Sequence, residues 1–301
     1  MRIAPSDIRG LRVFRAIVEN SGFQGAQIEL GMSQSTLSFH LKALEERCGF
    51  ELCRRGRAGL QMTDRGRHVY EASKSLVSAI SGFEGRLGEL RGTVVGNLRV
   101  GVVANTVTDD ALPINAVVDA CLENAPAADV QLLIAHPQAL ADELVSDGID
   151  IALTPPVNIG PNFRETLFYH ESHSLYCSRK HPLFNVDADD LTPARIVPFD
   201  FVARSYARHA ELSHWPGANV RIRVSTMEAL AVLVLSGRVI GFLPEHFAAE
   251  WERNGRLRRL SQPNQRYASP FVIVSKLAKH QSPLQKMFIK ELRQRCSLNP
   301  V

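Results

Sequence analysis

Ser33-Gln34-Ser35-Thr36-Leu37-Ser38-Phe39-His40-Leu41-Lys42-Ala43-Leu44-Glu45 is the stretch from which the rest of the chain can be read. Leu37, Leu41 and Leu44 recur at i, i+4 and i+7, the spacing that lines one face of a helix. Ser33 stands just before them, where its hydroxyl can accept from a free backbone N–H of the first turn, so it is expected to cap the helix. Upstream, Gln24–Leu30 reads as a short helix with Ala26 and Leu30 facing in, broken at Gly31. Two helices across a tight Gly-containing turn, the second with a polar leading end, make a helix-turn-helix.

The outward face of the second helix carries Gln34, Ser35, Thr36, Ser38, Phe39 and Lys42. The major groove of duplex DNA admits a helix and shows each base pair as a distinct donor and acceptor pattern. Short hydroxyls and an amide near the helix start suit base edges and phosphates, with Gln34 matched to adenine and Lys42 to phosphate. Phe39 has two readings at this point: contact with a thymine methyl, or packing against a neighbouring element.

Working outward, Asp7 is expected to cap a helix whose apolar residues Ile8, Leu11, Phe14, Ile17 and Val18 keep helical spacing as far as Asn20-Ser21-Gly22. Downstream of Gly49, two glycines and the alternating Leu60 and Met62 predict a two-stranded hairpin, a wing, with Arg54, Arg55 and Arg57 along it. Its position directly after the recognition helix favours contact with the DNA backbone or an adjacent minor groove over a solvated basic loop. Thr63 then opens a long helix to about Arg91. Val69, Leu76, Phe83 and Leu90 lie seven apart, and Ile80 and Leu87 continue the other half of the seam. That heptad pattern asks for a partner helix. At ~1.5 Å per residue, about 28 residues span roughly 42 Å. Dimerisation would present two recognition helices to two half-sites of a pseudo-palindromic operator.

Residues 8–66 closely resemble the DNA-binding module of LysR-type transcriptional regulators. The resemblance is carried by Phe14, Gly22-Phe23, Ala26, Leu30, Ser33-Gln34-Ser35, Leu37-Ser38, Leu41, Leu44-Glu45, Gly49, Leu52, Arg55, Leu60, Thr63 and Gly66. It implies that Ser33-Gln34 through Leu44-Glu45 is the recognition helix and Arg55 a wing residue. Three positions depart from the pattern: Cys53 where Phe is usual, Phe39 where a basic residue is common, and Gln24 in place of Ser or Thr.

Charge agrees with this placement. Residues 1–92 hold 14 Lys and Arg against 10 Asp and Glu, which leaves 21 of each sign, from totals of 35 and 31, for residues 93–301. The whole formal excess of +4 therefore lies in the first third, where a polyanion would be bound. Five scattered cysteines, Cys48, Cys53, Cys121, Cys177 and Cys296, suit a reducing compartment rather than a disulfide framework. With no apolar leader and no stretch long enough to span a bilayer, a cytoplasmic protein without membrane contact is expected.

From residue 97 onward strand and helix signals alternate. Strands are expected over 98–103, 130–135, 149–153, 168–177, 220–224, 239–243 and 271–275, and helices over 112–124, 139–146, 227–235, from Pro244, and over 283–295. Such alternation implies parallel sheets with helices on both faces, and ligands at the carboxyl ends of strands. The family resemblance extends here more loosely, to an effector domain similar to periplasmic binding proteins. The expected fold is an all-α winged helix-turn-helix head (1–62), a linker helix (63–92) and an α/β effector domain (93–301) of two Rossmann-like subdomains. Subdomain I is placed at about 93–163 and 267–301 and subdomain II at about 164–266, with crossings near Gly160–Glu165 and Gln262–Ser269. The cleft is then lined by Asn105, Thr106, Val107 and Thr154-Pro155 from the first subdomain. Phe201, Val202, Ala203, Arg204, Thr226, Met227, Phe242 and Leu243 would come from the second. Hydroxyls, helix-start N–H groups and Arg204 suit a carboxylate co-inducer.

Other functions find less support. No Gly-x-Ser-x-Gly elbow, Walker loop, His-Glu-x-x-His or Gly-x-Gly-x-x-Gly is present, so no enzyme, cofactor or metal centre is expected. The alternatives are a metal-sensing regulator using His170, His173, Cys177 and His181, or a regulator with no small-molecule effector. Expected partners are double-stranded DNA, a small effector, further copies of the chain as a dimer of dimers (a homotetramer), and RNA polymerase as a further candidate.

Overall fold

The computed structural model describes residues 3–56, 59–206, 210–277 and 281–296. Contacts divide the chain into two compact units, 1–81 and 82–301.

In the first unit, α1 (Pro5–Glu19), α2 (Phe23–Leu30) and α3 (Gln34–Cys48) enclose a core of Leu11, Phe14, Ile17, Ala26, Leu37, Leu41, Leu44 and Leu52. Ser33 caps α3 as expected, its Oγ accepting from the Thr36 N–H at 3.2 Å. Gly31 ends α2 at φ +61°, a left-handed conformation that costs a side chain with a Cβ but not glycine, and this makes the turn tight. Asp7 does not cap α1. Ala4 precedes the helix, and Asp7 sits one turn in, its carboxylate accepting from the Ala4 N–H at 2.7 Å. The wing is present as β1 (Cys53–Gly56) paired antiparallel with β2 (Gly59–Met62). Thr63 caps the long helix α4 (Asp64–Leu90) through the Gly66 N–H, 2.9 Å from its Oγ1.

The second unit is built from β3 (Gly96–Val102), α5 (Ile114–Asn124), β4 (Ala128–Ile134), α6 (Pro137–Val145), β5 (Ile151–Thr154), β6 (Phe163–Ser178), α7 (Pro193–Ile196), β7 (Asp200–Arg204), β8 (Asn219–Val224), α8 (Met227–Ser236), β9 (Ile240–Pro244), α9 (Glu245–Arg253), β10 (Leu257–Arg259), β11 (Tyr267–Lys276) and α10 (Pro283–Cys296). Among the described residues the strand order is β4-β3-β5-β11-β6-β9-β7-β8, with β10 beside β6. The parallel sheets expected from the alternation are present, one in each lobe, and antiparallel strands are added to them. Each lobe has three parallel strands, β4-β3-β5 and β9-β7-β8, and each set is bordered by an antiparallel crossing strand.

The chain passes between the lobes on two strands, β6 and β11, which begin within the stretches 160–165 and 262–269. β6 and β11 pair antiparallel from His173 opposite Tyr267 to Phe163 opposite Lys276, with one slip between Phe271 and Val272. The first lobe buries Leu98, Val100, Val102, Leu140, Ile151, Leu153, Phe288 and Leu292. The second buries both sheet faces, since successive strand side chains point to opposite sides. Phe201 and Phe242 enter one core, and Val202 and Leu243 the other.

Candidate functional site

Two regions bring functional side chains together, one in each unit. In the first, burial of Leu37, Leu41 and Leu44 turns the opposite face of α3 outward. Gln34, Ser35, Thr36, Phe39 and Lys42 are exposed on α3 and Ser38 is half-buried. The hydroxyls gather at the helix start, Ser33 Oγ lying 2.8 Å from both Ser35 Oγ and Thr36 Oγ1. Phe39 is 69% exposed and lies outside the head core, which removes the packing alternative; its ring makes an edge contact with His40 at 5.6 Å. Arg54 is exposed and bonds Glu51 at 2.8 Å. Arg57 lies outside the described residues, as does the side chain of Arg55. Sequence reasoning missed the role of Glu45. Its Oε1 accepts from the Leu52 and Cys53 N–H groups at 2.7 and 3.1 Å, fixing the start of the wing to the recognition helix.

The heptad seam of α4 divides. Val69 and Leu76 pack on the head's own core, so at those positions the stripe serves the chain itself. Ile80 is half-buried, while Phe83, Leu87 and Leu90 are exposed, Leu90 at 85%.

In the second unit a cavity of about 140 Å³ opens between the two lobes. Of the residues expected there, Asn105, Pro155, Arg204, Thr226 and Met227 line it. The others are placed elsewhere. Thr106 is buried with its hydroxyl donating to the Val103 carbonyl at 3.2 Å, and Val107 is 96% exposed. Thr154 is fully buried, and it is Pro155 that reaches the cavity. Phe201, Val202 and Phe242 lie in the cores described above, because strands covered on both faces offer a ligand only their ends. His136, Pro137, Glu171 and Tyr206 line the cavity and were missed. His136 and Pro137 follow β4 as Thr154-Pro155 follow β5, so the strand-end rule applied to every parallel strand would have found them.

Two helix starts meet at this cavity. His136 caps α6, its Nδ1 accepting from the Ala139 N–H at 3.3 Å, and Thr226 caps α8 through the Ala229 N–H at 3.2 Å. Helix N-termini carry partial positive charge and free N–H groups. Arg204 adds a full charge. Its guanidinium is buried between the rings of Tyr206 and Tyr267, 5.5 Å from each centroid, with Glu211 at a long 3.4 Å. Its Nε has no partner among the described residues.

At Glu171 the cavity adjoins a polar network, part of it buried. His246 Nε2 is 3.0 Å from Glu171 and 3.6 Å from Asp109, its Nδ1 is 2.8 Å from Thr108 Oγ1, and the Tyr169 hydroxyl donates to Asp109 at 2.9 Å. His173 Nε2 donates to Glu171 at 2.5 Å. Burial opposes charge on Glu171, but the two imidazoles outweigh it and hold its carboxyl below the usual range. Burial pushes the His173 imidazole down, against the pull of Glu171. Asp109, Glu171 and His246 offer ligand atoms within 4.8 Å of one another, all three already engaged in these bonds. The four residues of the metal-sensor alternative do not converge. His170 is exposed, Cys177 sits in the second lobe's core, and His181 accepts from the Leu183 N–H at 3.2 Å. Burial pushes the Cys177 thiol up to about 12, which leaves it unreactive.

No helix of the described residues is long and apolar enough to cross a membrane. The family model for the LysR substrate binding domain matches residues 91–297, and that for the bacterial regulatory helix-turn-helix protein, lysR family, matches residues 8–67. The chain is 32% identical over 296 residues to the HTH-type transcriptional activator BauR of Pseudomonas aeruginosa, covering 96% of this chain and 95% of that relative. It is 24% identical over 289 residues to the HTH-type transcriptional activator CmpR of Synechocystis sp., covering 93% and 92%. Among solved structures, CbnR, a LysR family transcriptional regulator, matches with a TM-score of 0.64 at 17% identity over 96% of this chain and 99% of that one. Full-length CbnR complexed with its target DNA matches at 0.62 and 19% identity, with the same coverage. The chain thus belongs to the LysR family, DNA-binding transcriptional regulators in which a helix-turn-helix head is joined to a substrate-binding domain.

Proposed function

We propose that this regulator is controlled by a small carboxylate bound in the cavity between the two lobes, and that it is not an enzyme. The observation that carries this reading is the meeting of three positive features at one cavity: Arg204 and the starts of α6 and α8. They come from both lobes, so an anion bound there favours one lobe arrangement over others, a shift of population rather than a new state. In the head, Gln34, Ser35, Thr36, Ser38, Phe39 and Lys42 read and grip the major groove, while Arg54, Arg55 and Arg57 hold the backbone beside it. Exposed Phe83, Leu87 and Leu90, with Ile80, form the seam for a second copy, and a dimer of dimers presents its heads to a pseudo-palindromic operator in the cytoplasm.

The test is a thermal-shift screen of the full chain against small carboxylates, their amides and their amines, repeated with Arg204→Gln. A ligand at ~100 times its Kd adds about 2.7 kcal/mol to stability. At least one carboxylate should raise the midpoint of the wild type, its amide should not, and the variant should lose the response. Equal stabilisation of wild type and Arg204→Gln, or by the amide, would overturn the reading.

A further inference from the structure

We infer that Phe39 is a specificity residue that reads the C5-methyl group of one thymine in each half-site; this rests on α3 entering the major groove. Phe39 is the one large apolar side chain exposed on that helix, and it stands among polar groups. Ser35 is one turn before it on the same face, Ser38 is adjacent, and Lys42 is nearly one turn beyond. A protein partner would ask for an apolar patch of a few hundred Å². One ring surrounded by hydroxyls, an amide and an ammonium group fits a surface that is polar everywhere except at one point. The major groove is such a surface: its floor is donors and acceptors, and the thymine methyl is its apolar group.

Geometry fits the same reading. Phe39 is five residues beyond Gln34, about 7.5 Å along the helix, roughly two base-pair steps. Both side chains therefore belong to one half-site. A basic residue at this position would donate to guanine or phosphate. Phe39 can do neither, so the preference moves from a donor contact to a methyl contact.

The experiment starts with selection of bound sequences from a random duplex pool by the full-length protein. Each thymine of the enriched half-site is then replaced singly by deoxyuridine, which removes only the C5-methyl. Affinities are measured for the wild type, Phe39→Leu and Phe39→Ala. At one thymine per half-site, deoxyuridine should weaken wild-type binding about three- to tenfold, the effect of losing one buried methyl. Phe39→Leu should keep part of that ratio, and Phe39→Ala should bring it to one. Because Phe39 is exposed, both variants should unfold at the wild-type midpoint. An enriched site at which no thymine shows this coupling overturns the inference alone. So does a uniform loss on all duplexes with Phe39→Ala, since the ring would then only position the helix. Failure to enrich any sequence overturns it together with the major-groove reading.

Discussion

Asp7 shows how much one side chain can organise when its charge is enclosed. It is buried at the third position of α1, where its carboxylate takes the Ala4 N–H and the guanidinium of Arg47 from α3, Nη2 lying 2.9 Å from Oδ2. The bond thus ties the start of the first helix to the end of the recognition helix. Hydrogen bonds from Arg47 and Ala4 hold the Asp7 carboxyl below its ordinary value, against the effect of burial. A carboxylate with a lower pKa in the folded than in the unfolded chain stabilises the fold above the unfolded value, and that share is lost as pH falls through the folded value. Asp7→Asn should therefore lower the unfolding midpoint of the head at pH 7. The gap from wild type should narrow once pH drops below about 4, the ordinary aspartate range. Thermal unfolding followed across pH 2–7, with helix amide exchange as the local readout, checks both parts. A gap of constant size down to pH 2 would mean that the pair is not what holds α1. Sequence alone placed Asp7 as a cap. Ala4, which has no side-chain acceptor, gave no signal that the helix begins earlier.

At the scale of elements, the wing depends on a contact with no room for a side chain. The Thr63 N–H and hydroxyl both bond the chain just before β1, the N–H to the Leu52 carbonyl at 2.9 Å and the hydroxyl to that of Glu51 at 2.8 Å. This draws the first turn of α4 so close that a Cβ on Gly66 would lie 2.1 Å from the Leu52 oxygen. Gly66→Ala should cost the head ~1–3 kcal/mol, the usual penalty for overpacking. It should also weaken DNA binding more than stability alone explains, because the wing would shift against α3; chemical denaturation and operator affinity on one sample separate the two. The head was legible because local signals decide it: caps at Ser33 and Thr63, a left-handed glycine at Gly31, and a helical stripe of leucines. The effector half was legible only in part. The stretches 168–177 and 271–275 read as strands, but the leading parts of β6 and β11, Phe163–Leu167 and Tyr267–Pro270, follow Pro-, Gly- and Asn-containing sequence that reads as connection. What makes them strands is their pairing across a hundred residues of chain, which no local window contains. The site shared that limit. Strand-end reasoning reached Asn105 and Thr226, but Glu171 lies on a crossing strand whose place is set by that long-range pairing.

At the scale of the whole effector unit, two lobes share one sheet through β6 and β11, and side chains join them a second time. Thr108 and Asp109 belong to the segment after β3, Tyr169 and Glu171 to the crossing strand, and His246 to the first turn of α9 in the other lobe. Their hydrogen bonds, joined by the 3.6 Å contact between His246 and Asp109, form one network, and Glu171 also lines the cavity. Any change in lobe spacing must therefore alter cavity and network together, which gives a ligand in the cavity a physical route to lobe arrangement. His246 is the member that spans the gap. Replacing it with alanine removes the donor to the buried Glu171 carboxylate and the 3.6 Å contact with Asp109, while leaving the apolar cores intact. His246→Ala should lower the stability of the effector unit by ~1–3 kcal/mol, the cost of leaving a buried polar group without its partner. Amide exchange should rise at residues 106–112 and 245–250, where the bridge is anchored, and stay unchanged in β3 and β9. His246→Gln, which can still donate to Glu171, should recover part of the loss. Exchange that rises evenly over both lobes, or not at all after β3, would show that the sheet alone sets their spacing and that His246 only fills its place in the surface.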